Sequence, residues 1–274
     1  MRNLWLAALF SIACVKPRGP IHYVGDPEAV VAIARTRPAA EGLRARFSIR
    51  IRTPEMSGTT PGSFIIRHPD RIRAEIYTPL GTPLLYLVSD GTSLHAWLER
   101  QRVFFRGDEA ATVLGNLTGG AVGIDDVVAL MTARLPMPDS ETLHTGRIQF
   151  EEGGVVLELE GPGEVTVRAV VDPATGMVLR LRVWQGESAS LEVMNGLIMD
   201  VRYEGRVRVG KVRLPARVEI HLPAMDWTIT LTMKSWAEFQ APPSAFQLRP
   251  PVGAQVEDLV EALRDMAEKR AVHP

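Results

Sequence analysis

Short runs in which apolar and polar residues alternate restrict this chain more than any other feature. From Leu43 to Arg52, the positions Leu43, Ala45, Phe47, Ile49 and Ile51 are apolar, while Arg44, Arg46, Ser48, Arg50 and Arg52 between them are polar. Successive side chains of a strand point to opposite faces, so this run describes a strand with one buried face and one wet face. The pattern recurs in Arg71 to Tyr77, Val165 to Val171, Leu179 to Val183, Arg217 to Leu222 and Thr228 to Met233. Turn-forming clusters separate the runs, among them Glu152-Gly153-Gly154, Asp172-Pro173-Ala174-Thr175-Gly176 and Val209-Gly210-Lys211. Short connections join antiparallel neighbours, so the expected fold is mainly β: a single half-open antiparallel barrel of about 11 strands.

Three segments leave this rhythm. Asp26 and Pro27 open an amphipathic helix with Ala29, Val30, Ile33 and Ala34 on one stripe, and Pro38 closes it. Asp108 to Leu114 and Ile124 to Leu135 read as inserted helices, expected to cover the concave side of the sheet as a lid or plug. After Trp236, Pro242, Pro243, Pro250 and Pro251 mark an extended segment, followed by a terminal amphipathic helix from Val256 to Lys269. The expected organisation is a half-barrel domain over 26–254 and a C-terminal helix over 255–274.

Charge narrows the function. Lys and Arg number 31 against 32 Asp and Glu, and aromatics are only 6% of the residues, so a basic, aromatic-lined nucleic-acid groove is not expected. The one cysteine, Cys14, permits neither an internal disulfide nor a thiolate cluster. Residues 1–13 have the layout of a secretory signal: a basic start, an apolar stretch too short to span a bilayer, and small residues at its end. Ser11-Ile12-Ala13-Cys14 resembles the bacterial lipobox, with Ser11 where that motif usually carries Leu. Cys14 is therefore a candidate lipidation site with residues 14–25 as its tether; the other reading is an ordinary export signal with an incidental cysteine.

Catalytic and metal-binding motifs are absent from the sequence. The histidines at 22, 68, 95, 144, 221 and 273 have no partner at ligand spacing, and there is no nucleophile elbow, phosphate loop or dinucleotide fingerprint. Asp125 and Asp126 suit the first turn of a helix better than paired acid-base work, because adjacent helical residues diverge. No enzyme activity, cofactor or metal is expected. One segment does stand out: in Thr78-Pro79-Leu80-Gly81-Thr82-Pro83, two prolines stiffen a turn with Leu80 at its tip. Leu80 either folds back on its neighbours or is held in water for something to receive it.

Read together, Ile76 to Leu85, Gly107-Asp108-Glu109-Ala110, Leu117-Thr118-Gly119 and the helix ending in Leu135-Pro136 resemble the outer-membrane lipoprotein receptor family LolB, within the wider LolA–LolB-like lipoprotein localisation group. Leu214 to Ile220 and Ile229 to Trp236 resemble that family's last strands. The chain departs from the pattern in its added C-terminal helix, its extra length between Gly186 and Gly210, and Pro83. The resemblance implies a half-open barrel with helices against an apolar cavity, and a protein anchored in the outer membrane, facing the periplasm. Such a protein takes acylated proteins or lipids from a periplasmic LolA-like carrier and passes them to the membrane.

It also implies a membrane-probing turn, which maps onto Pro79, Leu80 and Gly81. The residues expected to line an acyl-chain cavity are Phe47, Ile49, Ile76, Leu85, Leu87, Trp97, Val128, Met131 and Leu181, any of which could instead pack as plain core. Two other readings stay open: a non-enzymatic periplasmic binding or envelope-assembly module with a filled core, and a hydrolase acting on lipid or envelope polymer.

Overall fold

The computed structural model describes residues 27–110, 113, 123–136, 150–151, 153–161, 165–185 and 196–272. The signal segment, Cys14 and its tether, Asp26, residues 111, 112 and 114 of the expected helix from Asp108, Leu117-Thr118-Gly119 and residues 186–195 of the extra length after Gly186 lie outside them.

The period-two runs form one open sheet. Strands β1 (Gly42–Arg52), β2 (Ser57–Arg67), β3 (Arg71–Tyr77), β4 (Pro83–Ser89), β5 (Leu94–Leu98) and β6 (Val103–Gly107) meander outward on one side. On the other side β7 (Phe150–Glu151), β8 (Gly154–Gly161), β9 (Val165–Val171), β10 (Val178–Gln185), β11 (Leu197–Val209), β12 (Val212–Leu222) and β13 (Trp227–Glu238) run inward. The two meanders meet where β1 pairs with β13, from Leu43 opposite Glu238 to Arg52 opposite Thr228. Strand β14 (Gln255–Asp258) then adds to the far side of β6.

Two sequence expectations change here. The described sheet has fourteen strands, and β14 runs parallel to β6. Residues 255–258, expected to open the terminal helix, are this strand, because the backbone of β6 offers an unpaired edge. The sixteen residues between β13 and β14 reach that edge by crossing six intervening strands, a path of roughly 34 Å at ~4.8 Å per strand spacing. They pass over the polar side of the sheet: Phe239 lies under the Arg44 guanidinium, and Arg73 Nη1 donates to the Ala245 carbonyl at 3.4 Å.

Helices close one end of the other face. Helix α1 (Pro27–Thr36) buries Val30, Val31 and Ala34, and Gly176 lets it come close, since a Cβ there would sit 2.7 Å from the Ile33 carbonyl oxygen. Helix α2 (Ile124–Met131) buries Ile124, Val128 and Leu130. It ends four residues before the expected Leu135, with Ala133 at a positive φ of 52°. Asp126 accepts a hydrogen bond from the Gly123 amide at 2.8 Å, which is the capping role its first-turn position suggested. Helix α3 (Leu259–Val272) follows β14, with Leu259 in the core.

Arg37, just past α1, ties the closed end together. Its Nη1 donates to the carbonyls of Thr132 and Ala133 and its Nη2 to that of Arg213, while Arg134 Nη1 donates back to the Arg37 carbonyl at 2.7 Å. Burial, then the neighbouring Arg134, lowers the Arg37 pKa to about 10. No described helix is long and apolar enough to cross a membrane.

Candidate functional site: an apolar trough and its rim

Pairing across the ladders places directly opposed residues on one face, so the register decides which side chains share the concave side. Ile49 opposes Thr60 and Leu231, Ile76 opposes Gly62 and Leu85, and Leu87 opposes Ala74 and Ala96. The same face continues through Leu98, Phe105, Ile220, Ile229 and Met233. Apart from Thr60 and Ser89 it is apolar across both meanders.

Burial along this face is graded. Near the closed end Leu43, Phe64, Ile66 and Ile72 are fully buried, beneath the end that Arg37 clamps. Toward the opposite end Ile49, Ile51, Ile76, Leu85, Leu87, Leu98, Phe105, Ile220, Leu222, Ile229 and Met233 are only half-buried. The result is a trough, packed solid at one end and still partly open to solvent along the other. Gly62 shapes it: a Cβ there would meet the Phe47 ring at 2.6 Å, so glycine lets the ring lie flat across β2.

The nine expected lining residues divide three ways. Ile49, Ile76, Leu85, Leu87 and Met131 are half-buried, the first four on the open stretch of the concave face and Met131 on α2 packed against its core. Phe47, Val128 and Leu181 share that core but are buried, serving as packing.

Trp97 is on the opposite face. It pairs with Tyr86 and Phe104, each one residue out of phase with Leu85, Leu87 and Phe105, and its Nε1 donates to Glu99 at 2.5 Å. It is nevertheless buried, as are Val88, Phe104 and Phe246, all outside the main core, on the face that the segment after β13 crosses. The sequence reading took Trp97 as an inward position; the phase of β4, in which Leu85 and Leu87 point inward, places it outward. The same phase argument finds the trough residues that reading missed, Ile220, Ile229 and Met233, since β13 carries the inward positions opposite Ile49 and Ile51.

The turn at Leu80 stands at the open end. The Gly81 amide donates to the Thr78 carbonyl at 2.9 Å and the Thr78 amide to the Thr82 carbonyl at 2.7 Å, closing a three-residue hairpin loop. Gly81 takes the left-handed φ of 85° that such a loop needs at its third position. Leu80 is 94% exposed and does not fold back.

Alternate turns of a meander share one end of the sheet, which puts the β1–β2 and β5–β6 turns on this same rim. The first carries Met56, 63% exposed. Against the second, Arg102 Nη2 donates to the carbonyl of Val252, which is 98% exposed. The three most exposed large apolar side chains among the described residues therefore crown the open end of the trough.

No protein-family model and no curated protein matches the chain. Solved structures do. A LolA superfamily protein from Nitrosomonas europaea is similar with a TM-score of 0.54 at 12% identity, over 81% of this chain and 96% of that one. A DUF1329 family protein from Desulfovibrio piger gives 0.54 at 8% identity, over 81% and 95%. A domain from Vibrio parahaemolyticus described as an outer membrane lipoprotein-sorting protein gives 0.50 at 11% identity, over 86% and 97%. At these identities the likeness is one of fold: the chain has the open, curled antiparallel sheet of LolA-like proteins.

Proposed function

We propose that the protein is a lipid or lipoprotein acceptor of the bacterial envelope: it holds acyl chains in the open half of the trough and passes them to a membrane at the Leu80 rim. The observation that carries this reading is the graded burial of the concave face, which leaves a largely apolar surface only half-buried beside three protruding apolar tips. Such a surface in water is unfavourable unless something apolar occupies it. An acyl chain contributes about 0.8 kcal/mol per methylene removed from water, and a bilayer beside the rim offers an equivalent environment for release. No chemical step is involved. The LolA superfamily and lipoprotein-sorting neighbours support the class of cargo.

In this reading the chain is an outer-membrane receptor facing the periplasm, held by acyl chains on Cys14 and supplied by a LolA-like carrier. It is tested by loading the full chain with an acylated protein and following transfer to vesicles. Leu80→Glu leaves the thermal midpoint and cargo binding intact and blocks transfer; unchanged transfer removes the turn from the mechanism. Mass spectrometry of the membrane-extracted protein, with Cys14→Ser as control, reads both its own acylation and any bound lipid. The solid packing of Phe47, Val128 and Leu181 favours the second reading, a filled-core assembly module, which predicts no bound lipid.

A further inference from the structure

Ion pairs hold several arginines of the polar face. Arg73 lies 2.5 Å from Glu75, Arg180 2.6 Å from Asp200 and Arg206 2.7 Å from Asp172. Strand β1 differs. Its Arg50 stands between Thr230 and Thr59, and its Arg52 between Thr228 and Ser57, so both arginines have hydroxyl residues on each side and no carboxylate. Two arginines two residues apart on one strand face have Cα atoms roughly 7 Å apart, and their like charges repel.

Arg50, Arg52, Thr59, Thr228 and Thr230 line a groove of about 390 Å³, together with Arg217 and Glu219. Glu219 is its only carboxylate, and Arg217 Nη2 already donates to it at 3.0 Å. Arg50 uses only Nε, donating to Thr59 Oγ1 at 3.2 Å. Among the described residues Arg52 makes no ion pair. The groove is thus net positive and rich in hydroxyl donors, in a chain whose total charge is −1.

We propose that this groove is a phosphate-binding site. Paired guanidinium forks match the oxygens of a phosphate, and flanking threonine hydroxyls supply further donors. The volume leaves room for the group that the phosphate is esterified to. Arg52 ends β1 at the rim that carries Met56, so the headgroup of a phospholipid whose chains meet that rim can reach the groove. The site lies on the face opposite the trough and does not depend on the trough's holding acyl chains.

The test is titration calorimetry of the full chain at constant ionic strength with inorganic phosphate, followed by vesicles of phosphatidylcholine with and without phosphatidylglycerol. Saturable phosphate binding, weakened at least tenfold in the Arg50→Gln, Arg52→Gln double variant at an unchanged thermal midpoint, supports the site. Preference for phosphatidylglycerol vesicles that the same variant loses assigns the phosphate to a headgroup; phosphate binding without that preference assigns it to a soluble ligand. Absence of saturable binding to either probe overturns the proposal. So does equal weakening in Arg100→Gln, Arg106→Gln, which removes the same charge outside the groove. Binding of an apolar fluorescent acid to the trough is unaffected by either outcome, which keeps this test separate from the acyl-chain reading.

Discussion

His68 carries its environment in its titration. Burial, then the positive charges of Arg134 and Arg37, lowers its pKa from 6.5 to about 4. The folded protein therefore keeps it neutral where the unfolded chain would begin to bind a proton. Stability that it contributes is complete above the unfolded value and declines as pH falls from about 6.5 toward 4. Because the side chain is partly exposed, the effect is discounted to the order of 1 kcal/mol. His68→Gln removes this component, so its thermal midpoint falls less steeply over that window than that of the unaltered protein, as differential scanning calorimetry would record. At the other end of the sheet, Gly81→Val forces a β-branched residue into a φ of 85°, with a cost of about 1–3 kcal/mol. Urea denaturation measures it, and no loss would mean that the turn relaxes.

The elements were legible to different depths. Strands β1, β3, β9, β10, β12 and β13 were foreseen, because one face of each is wet and the period is visible, while β8 and β11, which also alternate, were not named. What sequence could not supply was pairing between distant segments. Nothing local in Leu43 to Arg52 names β13 as its neighbour, and nothing in Gln255 to Asp258 names β6. Trp97 fell on the wrong face for a different reason, that β5 was read without the phase of β4, whereas the segment after β13 that straps this face comes from a distant part of the chain. That strap is open to test. Phe246 is 1% exposed on the otherwise polar face, so Phe246→Ala costs about 3–5 kcal/mol and shows as a lower denaturation midpoint. A loss under 1 kcal/mol would mean that the strap is not packed.

At the scale of the whole molecule, the two ends of the sheet differ in kind. One is plugged by α1 and α2 and clamped by Arg37; the other is a half-covered apolar trough with Met56, Leu80 and Val252 at its lip. A closed end and an open one give the trough a direction. The LolA-like fold was within reach of the sequence through the ordered motifs around Leu80, while the grading of burial was not, since it depends on where the helices come to rest.

The central claim is that the open half of the concave face binds acyl chains. Titration of the full chain with a fluorescent fatty acid tests it most directly, comparing Leu87→Glu in the trough with Ser235→Glu on the polar face. Saturable binding that Leu87→Glu reduces at least tenfold and Ser235→Glu leaves intact is the expected result. Binding that is absent, or equal in both variants, would contradict it.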